Sequence, residues 1–295
     1  MKAILKDDNL NKQFNKEGYV KLPLFNEKDI KAIKDFYNRV ALRHNLLDGS
    51  FHTTLNTSDN DLIEEINSFL LPFFERKLKK YMLSYNPTIA GFLVKNYGAD
   101  SAVTIHQDWN YVDERKFASF SFWVSLDATN IFNGCMQFIP GSHNFYPSLR
   151  ISPDIDDYFH KYKDVAADYL VDVPTKPGEC VLFNQGIIHA SRRNYSNKDR
   201  VVCILGGYPL DATLLHHFKP EGKSLDEIEQ YQISSESMVN MKKNKKPPLA
   251  KLLGVISYTP PAVGQQEFIE KCKQEVSRFV FWKNKLVNRV LGKSS

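Results

Sequence analysis

Three side chains in this sequence have the types and spacing to hold one metal ion. His106 and Asp108 lie two apart at the end of the extended-looking run Ala102-Val103-Thr104-Ile105, and a strand sends residues i and i+2 to the same face. One imidazole and one carboxylate can therefore meet one ion. The best third ligand is His189, which ends the apolar runs Cys180-Val181-Leu182-Phe183 and Gly186-Ile187-Ile188 in a segment able to pair beside the first. Two histidines and a carboxylate on one side of a metal leave three positions open, which suits non-haem Fe(II) binding a cosubstrate and O2 together. An isolated His-x-Asp also occurs at ordinary surface strand ends, so the surroundings decide.

Those surroundings form an ordered set. Asn133-Gly134-Cys135-Met136-Gln137-Phe138-Ile139-Pro140-Gly141-Ser142-His143 is followed by Pro177-Gly178-Glu179, by His189, and by Arg200 eleven residues later. In this order, from about Phe14 to about Pro209, the sequence resembles the phytanoyl-CoA dioxygenase family of Fe(II)/2-oxoglutarate-dependent oxygenases. The resemblance implies that His106, Asp108 and His189 are the catalytic metal ligands, with Fe(II) as metal and 2-oxoglutarate and O2 as cosubstrates. It implies hydroxylation of an unactivated C–H in a small molecule (an amino acid, acyl compound or natural-product intermediate), with release of succinate and CO2. Related halogenases have a small residue in place of Asp108, so a carboxylate there argues for hydroxylation or another oxidation.

Cosubstrate contacts follow from the same resemblance. Arg200 is expected on the distal carboxylate, joined by the Ser191 hydroxyl, with Trp123 packed alongside; Lys95 and Gln137 are expected to point into the same cavity. The ten residues between His189 and Arg200 are enough to turn and return on an adjacent strand, and the planar guanidinium fork suits a carboxylate. Arg192 and Arg193 compete for that role from the loop, and His143 reads as a structural or pocket-wall residue. The rival reading is a catalytically silent metal-binding or interaction module of the same fold.

Positioning these groups requires strands from several parts of the chain. Short strands are expected at 89–97, 102–106, 117–126, 135–139, 168–173, 179–183 and 200–208, separated by turn signals such as Gly98, Asn133-Gly134 and Pro177-Gly178. Ahead of them, Phe14 to Leu22 reads as a lead into a strand. Asn26 and Asp29 announce a helix from Glu27 to about His44, and a second helix spans about Asp61 to Tyr81, broken or kinked at Pro72. The pattern is mainly β with supporting helices, a jelly-roll or cupin-like double-stranded β-helix. We read residues 1–295 as one oxygenase domain: helical support to about 88, a β core at about 89–210, and a basic helical extension from about 211. The polar, aromatic insertion from Ile151 to Tyr169 is expected to border the substrate entrance, together with Trp109, Asn110, Tyr111, Phe117 and Tyr146. The acids Asp154, Asp156 and Asp157 in that insertion favour a cationic substrate.

Composition sets bounds. Apolar content of 42% and charged content of 25% are those of an ordinary globular chain. No apolar run approaches the ~18 residues of a membrane span, and Met1 to Asn11 has no apolar signal core. Four scattered cysteines, 135, 180, 203 and 272, read as buried thiols, and the expected location is cytoplasmic. The net charge of +5 is uneven: from Ser237 onward twelve Lys/Arg face three Glu, while the remainder carries 27 basic and 31 acidic residues. No nucleic-acid motif accompanies the basic tail, so its expected partner is no nucleic acid.

Within that tail, Lys242 to Pro248 reads as an exposed basic linker, and Gln266 to Leu291 as one amphipathic helix. Three readings compete for the helix: packing on the β core, dimerisation, or peripheral contact with anionic membrane. The expectation adopted is that it docks on the core and helps frame the substrate entrance.

Overall fold

The computed structural model describes residues 2–44, 50–97, 100–153, 155, 157–241 and 244–291. In chain order the elements are α1 (Asp8–Glu17), β1 (Tyr19–Pro23), α2 (Glu27–His44), β2 (Phe51–Thr53), α3 (Asn60–Leu78), β3 (Tyr85–Lys95) and β4 (Val103–His106). There follow β5 (Phe120–Ser125), β6 (Met136–Phe138), α4 (Lys163–Ala166), β7 (Val171–Val173), β8 (Glu179–Asn184), β9 (His189–Ser191) and β10 (Arg200–Pro209). The rest comprises β11 (Leu215–Phe218), β12 (Ile228–Gln232), α5 (Ser235–Val239), β13 (Lys251–Ile256), α6 (Gln265–Glu275) and α7 (Arg278–Leu291).

Two antiparallel sheets face each other, a large one in the order β1-β8-β5-β10-β3-β2 and a small one in the order β4-β9-β6-β7. This is the double-stranded β-helix expected from the strand pattern. Strand alternation explains how the large sheet serves two cores. Phe120, Phe122 and Val124 of β5 point outward onto Ile33, Phe36 and Val40 of α2 and Leu62, Ile66 and Phe74 of α3. Trp123, between them, points inward with Val181, Phe183 and Val202 to meet Met136, Phe138 and Val173 of the small sheet. The outer face of the small sheet, Ile105, Ile188 and Ala190, is covered by Phe145, Phe159 and Tyr169 and by Phe268, Cys272 and Val276 from the C-terminal segment. Cys135, Cys180, Cys203 and Cys272 are all buried free thiols.

Local signals account for most boundaries. Asn26 and Asp29 exchange backbone-to-side-chain bonds at 3.0 Å each, closing the cap of α2. Four expectations of local structure need correction, the last of them in the C-terminal helix. The lead before β1 contains a helix, α1, which Asp7 caps and Gly18 ends at φ +83°. α3 runs through Pro72 unbroken, because Pro72 and Ser68, whose carbonyl loses its partner, both face solvent. The extension holds a three-stranded sheet, β11-β12-β13, that its sequence pattern did not announce.

The expected single C-terminal helix is two. Val276 takes an extended conformation that buries its side chain beside Cys272, and the Ser277 hydroxyl then accepts the Val280 N–H at 3.4 Å to start α7. Of the basic linker, Lys242 and Lys243 lie outside the described residues, while Lys245 and Lys246 are exposed.

Two neighbouring histidines of β11 are buried as neutral rings. Burial pushes His216 and His217 down to about 4, against about 6.5 in an unfolded chain. Between those values the unfolded state binds protons that the folded state does not, so stability falls as pH drops from about 6.5 towards 4. The urea midpoint is expected to decrease from about pH 7 to about pH 5, and a flat midpoint would mean that both rings take up protons in place.

Candidate active site

Antiparallel pairing of β4 and β9 sets His106 directly opposite His189, with ring centroids 4.2 Å apart. Alternation aims them: Ile105, Ile188 and Ala190 point out into the covering cluster, which leaves His106, His189 and Ser191 facing between the sheets. Asp108 arrives differently from the expected strand face. β4 ends at His106, and Asp108 sits in irregular backbone whose N–H donates to the Gln185 carbonyl at 3.0 Å. Its carbonyl accepts from Arg150 Nε at 2.6 Å.

Each imidazole is held in one tautomer. His106 Nδ1 donates to the Thr104 carbonyl at 2.7 Å and His189 Nδ1 to the Ile187 carbonyl at 2.9 Å, which leaves a lone pair on each Nε2. These Nε2 atoms stand 3.7 and 3.8 Å from Asp108 Oδ1. The three ligand atoms lie within 4.8 Å of one another, the one such group among the described residues. Burial, with His106 adding, pushes His189 down to about 4, so its ring is neutral at neutral pH, the form a metal needs. Neutral nitrogens and one carboxylate converging from one side fit a divalent iron.

A cavity of about 270 Å³ is lined by this triad together with Arg200, Ser191 and Trp123. Arg200 opens β10 and is only 3% exposed. Its Nη1 donates to the Gly134 carbonyl at 2.6 Å, and its guanidinium lies 5.3 Å from the centre of the Trp123 ring. Its buried Nε has no partner among the described residues. Burial pushes Arg200 down to about 9, which leaves it charged at neutral pH. A buried cation with an unpaired donor, lining a small cavity, has the chemistry that suits a carboxylate. Gly134 is required here: at φ +77° a Cβ would stand 2.5 Å from the Arg192 carbonyl oxygen.

The other expected contacts lie elsewhere. Lys95 does not line this cavity; its Nζ donates to the Ser101 carbonyl and, at 3.3 Å, to that of Ser191, bracing the strand that carries the Ser191 side chain. Burial, with Arg200 adding, pushes Lys95 down to about 6. Gln137 turns to Asp172 at 2.8 Å. Of the rival arginines, Arg192 lies 3.5 Å from Asp172 and Arg193 stacks against Tyr195, so of the three only Arg200 lines the cavity. His143 contacts the Asn15 carbonyl, away from the triad.

A second cavity, of about 890 Å³, meets the first at His106, Asp108, Leu55 and Ile204. The 151–169 insertion contributes Ile151, Ile155, Asp157, His160 and Lys163 to its wall, with Trp109 and Tyr111 beside them. Asn110, Phe117 and Tyr146 are not part of that wall. Asp154 and Asp156 lie outside the described residues, and Asp157 faces Lys163 at 4.0 Å, so the wall is mixed in charge rather than acidic. No residue of α6 or α7 lines either cavity: α6 docks as expected, but the extension reaches the cavity through Met238 and Met241 instead.

One pair gave no sequence signal. Arg150, whose Nε holds the Asp108 carbonyl, forks onto both carboxylate oxygens of Glu114 at 2.7 and 2.6 Å. The two residues are far apart in irregular segments, where no periodicity links them.

Comparison with known proteins bears on the fold and the family. The fold is that of the non-haem, 2-oxoglutarate-dependent oxygenases: the alpha-ketoglutarate-dependent carbocyclase SnoK from nogalamycin biosynthesis matches with a TM-score of 0.55 at 16% identity, over 84% of this chain and 96% of that one. EvdO2 from Micromonospora carbonacea var. aurantiaca, solved with 2-oxoglutarate, matches with a TM-score of 0.52 at 18% identity, over 75% and 98%. The sequence profile of the phytanoyl-CoA dioxygenase (PhyH) family covers residues 14–202, and the chain belongs to that family. It is 32% identical over 126 residues to phytanoyl-CoA dioxygenase domain-containing protein 1 of Danio rerio, covering 40% of this chain and 43% of the fish protein. With the phytanoyl-CoA dioxygenase of Arabidopsis thaliana it shares 28% over 116 residues, 37% of this chain and 39% of the plant protein. The matched stretch thus spans about two-fifths of these curated relatives.

Proposed function

We propose that this protein is an Fe(II)- and 2-oxoglutarate-dependent dioxygenase that hydroxylates an unactivated C–H of a bulky small molecule, and that residues 1–295 act as one oxygenase unit. The observation that carries the reading is the triad's position between two cavities, the smaller one containing a buried arginine with an open donor. His106, Asp108 and His189 would hold the iron. Arg200, with Ser191 beside it, would bind the far carboxylate of 2-oxoglutarate, and Trp123 would wall it from the core. Iron and cosubstrate supply the oxidising power when bound: O2 and 2-oxoglutarate are consumed, succinate and CO2 leave, and C–H becomes C–OH.

The residues of the chain do the rest. The carbonyls of Thr104 and Ile187 keep both Nε2 atoms aimed, and Arg150 with Gln185 fixes the backbone of Asp108. The larger cavity is of the size that encloses a drug-sized ligand, and its mixed wall of Asp157, Lys163, Trp109 and Ile151 suits a molecule with both polar and apolar parts. Asp108 supports hydroxylation over halogenation, since it occupies the position a halide would need.

The test is succinate formation from 2-oxoglutarate with Fe(II), stimulated by bulky metabolites, followed by product mass. A gain of one oxygen is expected. A loss of two hydrogens would replace hydroxylation by desaturation or ring closure, and an absence of succinate with every metabolite would favour the silent binding module.

A further inference from the structure

The last helix is docked the wrong way round for a core helix. α7 buries Asn284 and Asn288 and turns Phe279, Trp282, Leu286 and Val290 to solvent, 78%, 62%, 65% and 76% exposed. The docking is specific. Asn284 Nδ2 donates to the carbonyls of Leu170 and, at 3.3 Å, Asp168, and Asn288 Nδ2 donates to Ala167 O at 3.3 Å and Asp168 Oδ1 at 3.1 Å. Phe281 adds a ring contact with Tyr169 at 4.9 Å.

The outward side chains follow 3-4-4 spacing, which places them in one stripe along the helix. Basic residues border it: Lys283 on one side, Arg278, Lys285 and Arg289 on the other, with no acidic residue from Arg278 to Leu291. The Lys285 ammonium lies 5.4 Å from the centre of the Trp282 ring. At the far end the exposed Tyr195 donates its hydroxyl to the Leu291 carbonyl, and its N–H donates to the carbonyl of the exposed Phe132 at 2.7 Å.

We infer that α7 is a peripheral membrane-binding surface that lies in the headgroup layer of an anionic phospholipid bilayer. Charge complementarity selects this occupant. A stripe of Phe, Trp, Leu and Val between Lys and Arg, with no compensating acid, matches an interfacial helix on anionic lipid. A second copy of the same face would oppose cation to cation. The helix is already held to the body through Asn284 and Asn288, so it meets the bilayer preformed. Contact remains peripheral, since no helix among the described residues is long and apolar enough to cross a membrane.

The test sediments the full chain with vesicles of phosphatidylcholine alone and of phosphatidylcholine with about 30 mol% phosphatidylserine, at roughly 0.1 M salt. Binding to the anionic vesicles is expected to exceed binding to the neutral ones by roughly tenfold or more. The paired variants Trp282→Ser with Leu286→Ser, and Lys283→Glu with Arg289→Glu, are each expected to lose roughly tenfold or more of it. Both pairs should keep the parental melting temperature, because these side chains face solvent. Absence of binding, equal binding to both vesicle types, or anionic binding that survives both pairs overturns the proposal. Sedimentation as a dimer that Leu286→Ser dissolves, without vesicle binding, overturns it in favour of a second copy.

Discussion

Replacement of His106, Asp108 or His189 by alanine is expected to lower succinate formation by at least about a hundredfold, since even residues that merely orient a ligand typically account for ten- to hundredfold. Three side chains are a minimal set. Each Nε2 stands 3.7–3.8 Å from the same Asp108 oxygen, so loss of any one removes a whole side of the site. His106 and Asp108 are half-buried, and their alanine variants should melt near the parental temperature. His189 is buried between Phe138 and Phe183, and its void is expected to cost about 2–4 kcal/mol of stability by analogy with other large-to-small core changes. Succinate measured at saturating Fe(II), alongside a circular-dichroism melt, separates the two effects. A variant that keeps the parental rate has lost no ligand.

Arg200→Ala is expected to raise the 2-oxoglutarate concentration needed for half-maximal turnover by about tenfold to over a hundredfold, the equivalent of about 1.5–3 kcal/mol for a charge-assisted bond. Arg200→Lys should fall between, because an ammonium supplies the charge without the planar fork. Iron affinity measured without cosubstrate should stay near the parental value in both, since the guanidinium contacts Gly134 and Trp123 and neither of the metal-facing imidazoles. An unchanged 2-oxoglutarate requirement would remove Arg200 from the carboxylate site. Arg192, held near Asp172, would not be a ready substitute.

Much of the site was legible because its signals are local. His-x-Asp two residues apart, the Asn133-Gly134 turn, the cap at Asn26 and the alternation of each strand depend on neighbours within a few residues. That is why the core strands and α2 lie close to where the pattern put them. Two readings missed for a related reason: α3 continues through Pro72 because that helix face is exposed, and residues 14–17 end a helix capped at Asp7, although Gly18 and the strand from Tyr19 stand where the pattern put them.

The sequence by itself determined which side chains could hold a metal, the family they point to and the β-rich fold. Tertiary structure alone decided that Lys95 braces backbone, that Arg150 and Glu114 stand behind Asp108, and that α7 turns its apolar stripe outward. The division has one physical cause. Side-chain spacing along a strand or helix is set by backbone geometry within a few residues. Which faces meet depends on long-range pairing, such as His106 with His189 or Asn288 with Asp168, and on what is already buried when an element docks. Phe145, Phe159 and Tyr169, with Phe268 and Cys272 of α6, already cover the small sheet, so of α7 only Val280 and Phe281 pack against that cluster and the stripe Phe279, Trp282, Leu286 and Val290 is left facing water.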